Sequence, residues 1–454
     1  MTELSTAPAE TGEQAVSLEA FEVDFEFPAV VGHRNLLSYL SESTAEQLEA
    51  GLFPIRLAVT SMSESGYRCE LGVVAGLPQD RSASARSIFD LRLRQVEDGS
   101  SFTTVFIVPT GIGSSIGGHA GDATPAAQLL ASVSDTLVTH PNVVNASDVN
   151  ELPANALYVE GSVLARLLMG TVGLAPVRAN RVLVVGDAHE DSLFTDQLLN
   201  AVNAARSSFA LTCPRAVLLD PPLPVESVYA RSGRATGHVR ELDRLFAVLD
   251  RHRREYDAVA LSTQIRVDPR TRTDYYESRG EVLNPWGGAE AILTHAISAL
   301  YGIPAAHSPM FESRDIAALE LGVVDSRMAA EVISVTFFVS VLKGLQRSPR
   351  IIETRGPSRG LLTVEQVSCL VVPDGAVGLP TFAALEQGIP VIAVRENENV
   401  LDNDLRALPW AHGQLHVVDN HWEAAGVVAC LRAGIDPAAV RRPLREVQVE
   451  TYSA

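Results

Sequence analysis

A chain of 454 residues with 46% hydrophobic and 20% charged side chains is globular in composition and long enough for two or three domains. Its formal net charge of -19 repels phosphate backbones and anionic lipids, which sets aside nucleic-acid and membrane-surface binding while leaving room for a small anion in a local basic pocket. The N-terminus lacks the basic start and apolar core of a signal peptide, no stretch approaches the ~18 apolar residues of a membrane span, and Cys69, Cys213, Cys369 and Cys430 form no C-x-x-C pair, so reduced thiols in the cytoplasm are expected.

In chain order, residues 1–17 are small and polar and read as a disordered tail. Residues 18–100 read as a small N-terminal α+β or β-rich appendage, with strand alternation at Tyr67–Val74. Near Thr104 the pattern changes, and 101–454 read as an α/β domain. The runs TTVFIVP, DTLVTHP, RVLVVGD, RAVLLDPP, DAVALST, VSCLVVPD and PVIAVREN are short, β-branched and apolar on both faces, as buried parallel strands are. Helical patterns alternate with them at Phe194–Phe209, Val239–Arg254, Ala289–Tyr301 and Ala329–Gly344. The fold class is therefore α/β, with parallel sheets covered by helices. Two echoes, FIVPTGIG with LVVPDGAVG and the paired Gly-Ile-Pro helix exits before Ala305 and Val391, suggest two similar lobes meeting in a cleft.

Four segments carry the polar residues that chemistry needs. The first is Pro109–Asp122, where five glycines fall within eleven residues directly after a strand and before a helix starting at Thr124-Pro125. Thr110, Gly111, Gly113, Gly117 and Gly118 are expected to meet an anion at the helix N-terminus, with His119 and Asp122 as acid/base groups. The spacing matches neither common nucleotide-binding fingerprint. The second is His140, Asn142, Asn145 and Asp148, beginning at a strand's carboxyl end, where open α/β sheets bind ligands; Glu160-Gly161 is a weaker case of the same kind. The third is Gly287-Gly288 with Glu290 at the start of a helix that carries His295, followed by His307-Ser308. Glu290 and His295 are five apart and do not share a helix face, which weighs against a helix-borne zinc site. The fourth is Asp374, Gly375 and Thr381 at another strand–turn–helix junction, with Arg395 and Glu396 at the next strand's tip. Arg231, Arg234, His238 and Arg240 form the densest basic set and read as a solvated helix start, with steering of an anionic ligand as the alternative.

From about Phe106 to Ala433 the chain resembles a family of bacterial, cyanobacterial and algal proteins known only as a domain of unknown function. The matching stretches are VPTGIGSSIGGHAGDA, THPNVVNASD, LYVEGSVLARLLMG, NPWGGAEAILTHAISALYGIPAAHSPMFE and VVPDGAVGLPTFAALEQGIPVIAVREN. That resemblance implies no mechanism. Residues 374–399 alone are similar to the donor lobe of UDP-N-acetylglucosamine 2-epimerases, which would put Gly375–Thr381 on a diphosphate and Glu386 on a ribose. The Ser-Gly-Gly turn and the Thr-Glu-Arg-Pro-Glu signature of those enzymes are absent.

The leading expectation is an enzyme of transferase, isomerase or lyase type acting on a small anionic metabolite, with His119, Asp122, His140 and Glu290 as acid/base groups and Arg395 for electrostatic stabilisation. The sequence offers no G-x-S-x-G and no cysteine beside a histidine, which disfavours covalent hydrolysis. A second reading is an enzyme dependent on a divalent metal, with His119, Asp122, His140, His295 or His307 as ligands to Zn, Mn or Mg. A third is a non-catalytic binding or sensor protein. The cofactor is otherwise unspecified, and the sequence is compatible with a homo-oligomer.

Overall fold

The computed structural model describes residues 17–28, 35–119, 121–146, 149–319, 321–333, 337–444 and 446–453. Asp148 and all but the last residue of the expected tail lie outside them. Every residue of Val367–Pro373 is buried, which only a strand covered on both faces allows. It pairs in parallel with Thr103–Phe106 on one side and Val391–Val394 on the other. With Leu415–Val418, Thr136–Thr139 and Ala156–Tyr158 these strands make a six-stranded parallel sheet. A second parallel sheet has four strands in the order Thr212–Leu219, Arg181–Asp187, Ala258–Ser262, Ala305–His307. All seven apolar runs thus form strands of an α/β protein. Among the described residues no helix is long and apolar enough to cross a membrane.

A third sheet is antiparallel, and it draws strands from distant parts of the chain. Glu19–Pro28, Leu52–Ser63 and Gly66–Ala75 are joined by the hairpin Val225–Tyr229 and Ala235–Val239 at one edge and by Val377–Gly378 at the other. The hairpin corrects one expectation. Arg234, His238 and Arg240 belong to a β-hairpin and not to a solvated helix start: Arg234 is fully buried against Glu22 and Glu70, His238 Nε2 lies 2.7 Å from Glu19, and Arg240 pairs with Glu226. Correspondingly, the helix expected from Val239 starts at Leu242, after Glu241 turns through the left-handed region at φ 55°. The helix expected over 329–344 is two helices, Ala329–Ile333 and Phe338–Arg347. The echoing FIV and LVV segments lie side by side in one sheet, with Phe106 opposite Val371.

Helix Gly287–Tyr301 holds these layers together. It lies against strand Ala235–Val239 and helix Gly161–Leu168, and it leads through the left-handed Gly302 into strand Ala305–His307. Its close approach to the antiparallel sheet depends on Gly288, where an added Cβ would sit 2.1 Å from the Ala235 carbonyl oxygen. Substituting G288A is therefore expected to destabilise the protein by about 1–3 kcal/mol. G426A, in the interior of helix His421–Arg432 with nothing within 4 Å of its new methyl, is expected to stabilise by about 0.4–1 kcal/mol. Urea unfolding of the two variants checks the opposite signs.

Candidate functional site

The carboxyl ends of strands from both parallel sheets face a common cavity of about 160 Å³, close to the ~150 Å³ that accommodates a benzene ring. Thr110 and His119 reach it from the glycine-rich loop, and His140, Asn142 and Asn145 from the turn after Thr136–Thr139. Glu160 lines it from the turn after Ala156–Tyr158. Helix Gly287–Tyr301 contributes Gly287, Glu290, Thr294 and His295, and the end of Ala305–His307 contributes His307 and Ser308. Tyr276, Trp286, Met310, Phe311 and Phe337 supply apolar wall.

Glu160 is the N-cap of helix Gly161–Leu168, its Oε2 accepting from the Ser162 amide at 3.0 Å and from the Ser162 hydroxyl. Its Oε1 lies 2.6 Å from His295 Nδ1, an ion-pair contact off the line of a straight hydrogen bond. Burial alone would raise the carboxyl, but the adjacent His295 and the hydrogen bonds from Ser162 outweigh it and bring it down to about 2. An ionised carboxylate therefore holds the imidazole by Nδ1, and Nε2 has no partner among the described residues.

Two further histidines have their tautomers fixed by the backbone. His140 Nε2 accepts from the Val108 amide at 3.1 Å, and His307 Nε2 from the Thr263 amide at 3.3 Å, with the Thr263 hydroxyl 2.9 Å away. A ring nitrogen that accepts an N–H bond carries no proton, so in both neutral rings the proton sits on Nδ1. Burial, reinforced by the charge of His295 and opposed by Glu160, lowers His140 to about 4. His307 Nδ1 is 3.8 Å from Glu290 Oε1, too far for a hydrogen bond, and it and Ser308 Oγ are buried without hydrogen-bond partners among the described residues.

A third group runs from His119. Its Nδ1 is 3.0 Å from Tyr275 Oη, which donates to Glu331 at 2.9 and 3.1 Å, and Asn284 donates to the same carboxyl at 3.2 Å. Burial first, then the like charges of Glu290 and Asp122, push Glu331 up to about 8 against the Tyr275 bond. Burial and the nearby Arg327 lower His119 to about 4. Asp122 accepts from the His119 amide at 3.3 Å, but its side chain faces a separate surface depression with Arg327, His421 and Trp422. It does not line the cavity as an acid/base group beside His119.

The glycines of the loop serve packing. Added Cβ atoms would lie 2.2 Å from the Ala235 oxygen at Gly111, 2.0 Å from the Ser114 oxygen at Gly118, and 2.6 Å from the Leu283 side chain at Gly113. Gly117 is pressed against Val108 and Ala123. Asn142 Nδ2 donates to the Val108 and Gly117 carbonyls and Asn145 Nδ2 to Tyr158 Oη, so both brace loops while lining the cavity. The C-terminal set lies outside it: Thr381 Oγ1 donates to the Ala376 carbonyl, the Gly375 carbonyl accepts from Asn403, Asp374 pairs with Arg406, Arg395 with Asp419, and Glu396 with His421. Glu386, placed on a ribose by the epimerase resemblance, accepts from the Leu37 amide at 2.9 Å. Glu331, Tyr275 and Tyr276 were not legible as site residues, since nothing near them in sequence marks a strand end or a glycine turn. Among the described residues, no three His, Cys, Asp or Glu side chains come together as a metal-holding group.

Because the Glu331 carboxyl is raised above its ordinary 4.5, the fold favours the protonated acid; that stability is full below 4.5 and is lost as pH rises through about 8. E331Q mimics the protonated form. Its stability in urea is expected to match the parent below about pH 4 and to gain on it by up to about 1.4 kcal/mol per pH unit toward pH 8. A gap that stays flat with pH would show that Glu331 is not held neutral.

A cyanobacterial relative from Synechococcus, named as an uncharacterized lipoprotein, is 35% identical over 344 residues, covering 75% of this chain and 94% of its own length. No solved protein structure matches the chain. Residues 103–441 match the family described as protein of unknown function DUF3326, and the chain belongs to that family.

Proposed function

We propose that the cavity is the active site of an enzyme that moves protons on one small polar metabolite, in a reaction of isomerase or lyase type. The observation that carries this reading is the Glu160–His295 pair. An ionised, buried carboxylate fixes Nδ1 of an imidazole whose Nε2 is left uncommitted at the cavity wall, the arrangement of an oriented acid/base group. His140 and His307, with protons held on Nδ1, supply neutral donors for oxygen that gains charge during the reaction. Glu331, kept protonated near neutral pH, is a matching acid. A cavity of about 160 Å³ suits one small molecule, which favours isomerisation or elimination over transfer between two substrates. The loop glycines that suggested an anion are taken up by packing, so the substrate class here is small and polar without an assigned charge.

The test is solvent exchange. Incubating the protein in D2O with a panel of small hydroxy and oxo compounds, followed by proton NMR, should show deuterium entering one carbon of a substrate. E160Q and H295N should slow that exchange by about 100-fold or more. Exchange that survives H295N undiminished would remove the pair from the mechanism.

For location we infer the cytoplasm, supported by four free thiols. Recovery of the native protein in salt-washed membranes would overturn this and align it with the lipoprotein name its relative carries.

A further inference from the structure

The ligand can be narrowed from the charges and unused hydrogen-bonding atoms around the cavity, on the reading that this cavity is the active site. The carboxylates on its wall are nearly all accounted for. Glu160 is paired with His295, Glu312 with Arg272, and Glu331 is hydrogen-bonded by Tyr275 and Asn284. Glu290 remains, a carboxylate for which the described residues provide no hydrogen bond. The fixed cation on the wall, Arg272, is spent on Glu312. A second anion would meet uncompensated negative charge, so the cavity disfavours carboxylates and phosphates.

The gap between Glu290 and His307 then specifies a functional group. At 3.8 Å, Oε1 and Nδ1 are too far apart to bond each other but close enough for one oxygen to bond both. His307 Nδ1–H needs an acceptor, and the Glu290 carboxylate needs a donor. A carbonyl satisfies only the first and an ammonium only the second, whereas a hydroxyl satisfies both from a single atom. Ser308 Oγ, next in the chain and buried without a hydrogen-bond partner, calls for a second polar group close by. The rings of Trp286 and Tyr276 on the same cavity wall offer flat apolar surface for C–H faces.

We propose that the ligand is a neutral polyhydroxylated molecule of about one ring, a monosaccharide or cyclitol, with one hydroxyl bridging His307 Nδ1 and Glu290 and another near Ser308 Oγ.

Calorimetric titration and saturation-transfer NMR of the full chain test this with D-glucose, D-ribose and myo-inositol as neutral probes, and D-glucuronate and benzoate as anions. At least one polyol should bind, and D-glucuronate should bind the parent protein less well than D-glucose. E290A should weaken the polyol about ten-fold or more, the loss expected for a hydrogen bond to a charged group, and E290Q should narrow the gap between D-glucose and D-glucuronate. The inference falls if no polyol binds, if either anion binds as well as the best polyol, or if E290A leaves polyol binding unchanged. The first two comparisons use the parent protein and do not depend on a variant folding. A polyol that binds but shows no exchange in D2O would sink the acid–base reading and leave the ligand class standing. Exchange on a substrate without hydroxyls would do the reverse.

Discussion

The arrangement rests on a buried ionic cluster between the antiparallel sheet and the glycine-rich loop. Arg56 lies 3.3 Å from Glu22, Arg234 lies 3.2 Å from Glu22 and also contacts Glu70, and the Arg56 guanidinium donates to the Thr110 carbonyl at 2.8 Å. Two arginines and two glutamates leave no net charge. Burial opposes the ionised form of Glu22, but the two arginines outweigh it and bring its carboxyl down to about 2, while burial and the neighbouring Arg234 lower Arg56 to about 10. Removing one member of such a cluster strands the others as unpaired buried charge, which costs far more than the cluster contributes when whole. The antiparallel sheet is thereby fixed against Thr110, and the Ala235 amide donates to the Gly111 carbonyl one residue further on. The loop that carries His119 starts from that anchor.

Periodicity made the fold legible where burial was complete. Strands such as Val367–Pro373 and Arg181–Asp187 have no exposed face after their first residue, and an apolar run of that length has few other ways to fold. The antiparallel sheet was harder to read. Its partners Ala20 and Val239, or Val377 and Val59, are hundreds of residues apart in sequence, and pairing across such distances leaves no local trace. The Arg231–Arg240 stretch misled for a physical reason: charged side chains usually mark a solvated surface, but here the opposing charges sit on other strands and allow Arg234 to be buried.

The candidate site was half legible. His140, Glu290 and Thr110 sit where strand ends and helix starts imply. Glycine-rich turns were the weaker guide, because glycine permits close contact with protein backbone as readily as with a ligand, and Gly111, Gly118 and Gly288 all use it for the former. The Asp374–Glu396 turn is a strand–turn–helix junction of the expected kind, yet Asn399, Asn403, Arg406 and His421 take up most of its polar groups and leave Asp374 Oδ1 unpaired. What marks the cavity is that unspent hydrogen-bonding capacity from several elements gathers on one wall, at His295, His307, Ser308 and Glu290. Such capacity depends on which partners the fold fails to supply, and no single segment records that.

One short stretch carries most of this chemistry. Between Gly287 and Ser308 the chain docks on the antiparallel sheet through Gly288, presents Glu290 and His295, reverses at Gly302 and delivers His307. Because each residue advances a helix by about 100°, a single insertion between Gly288 and His295 would turn the imidazole away from Glu160 while the glycine stayed docked. The segment is thus closed to length variation during evolution. Relatives that keep this cavity should differ here by substitution alone and place their insertions and deletions elsewhere in the chain.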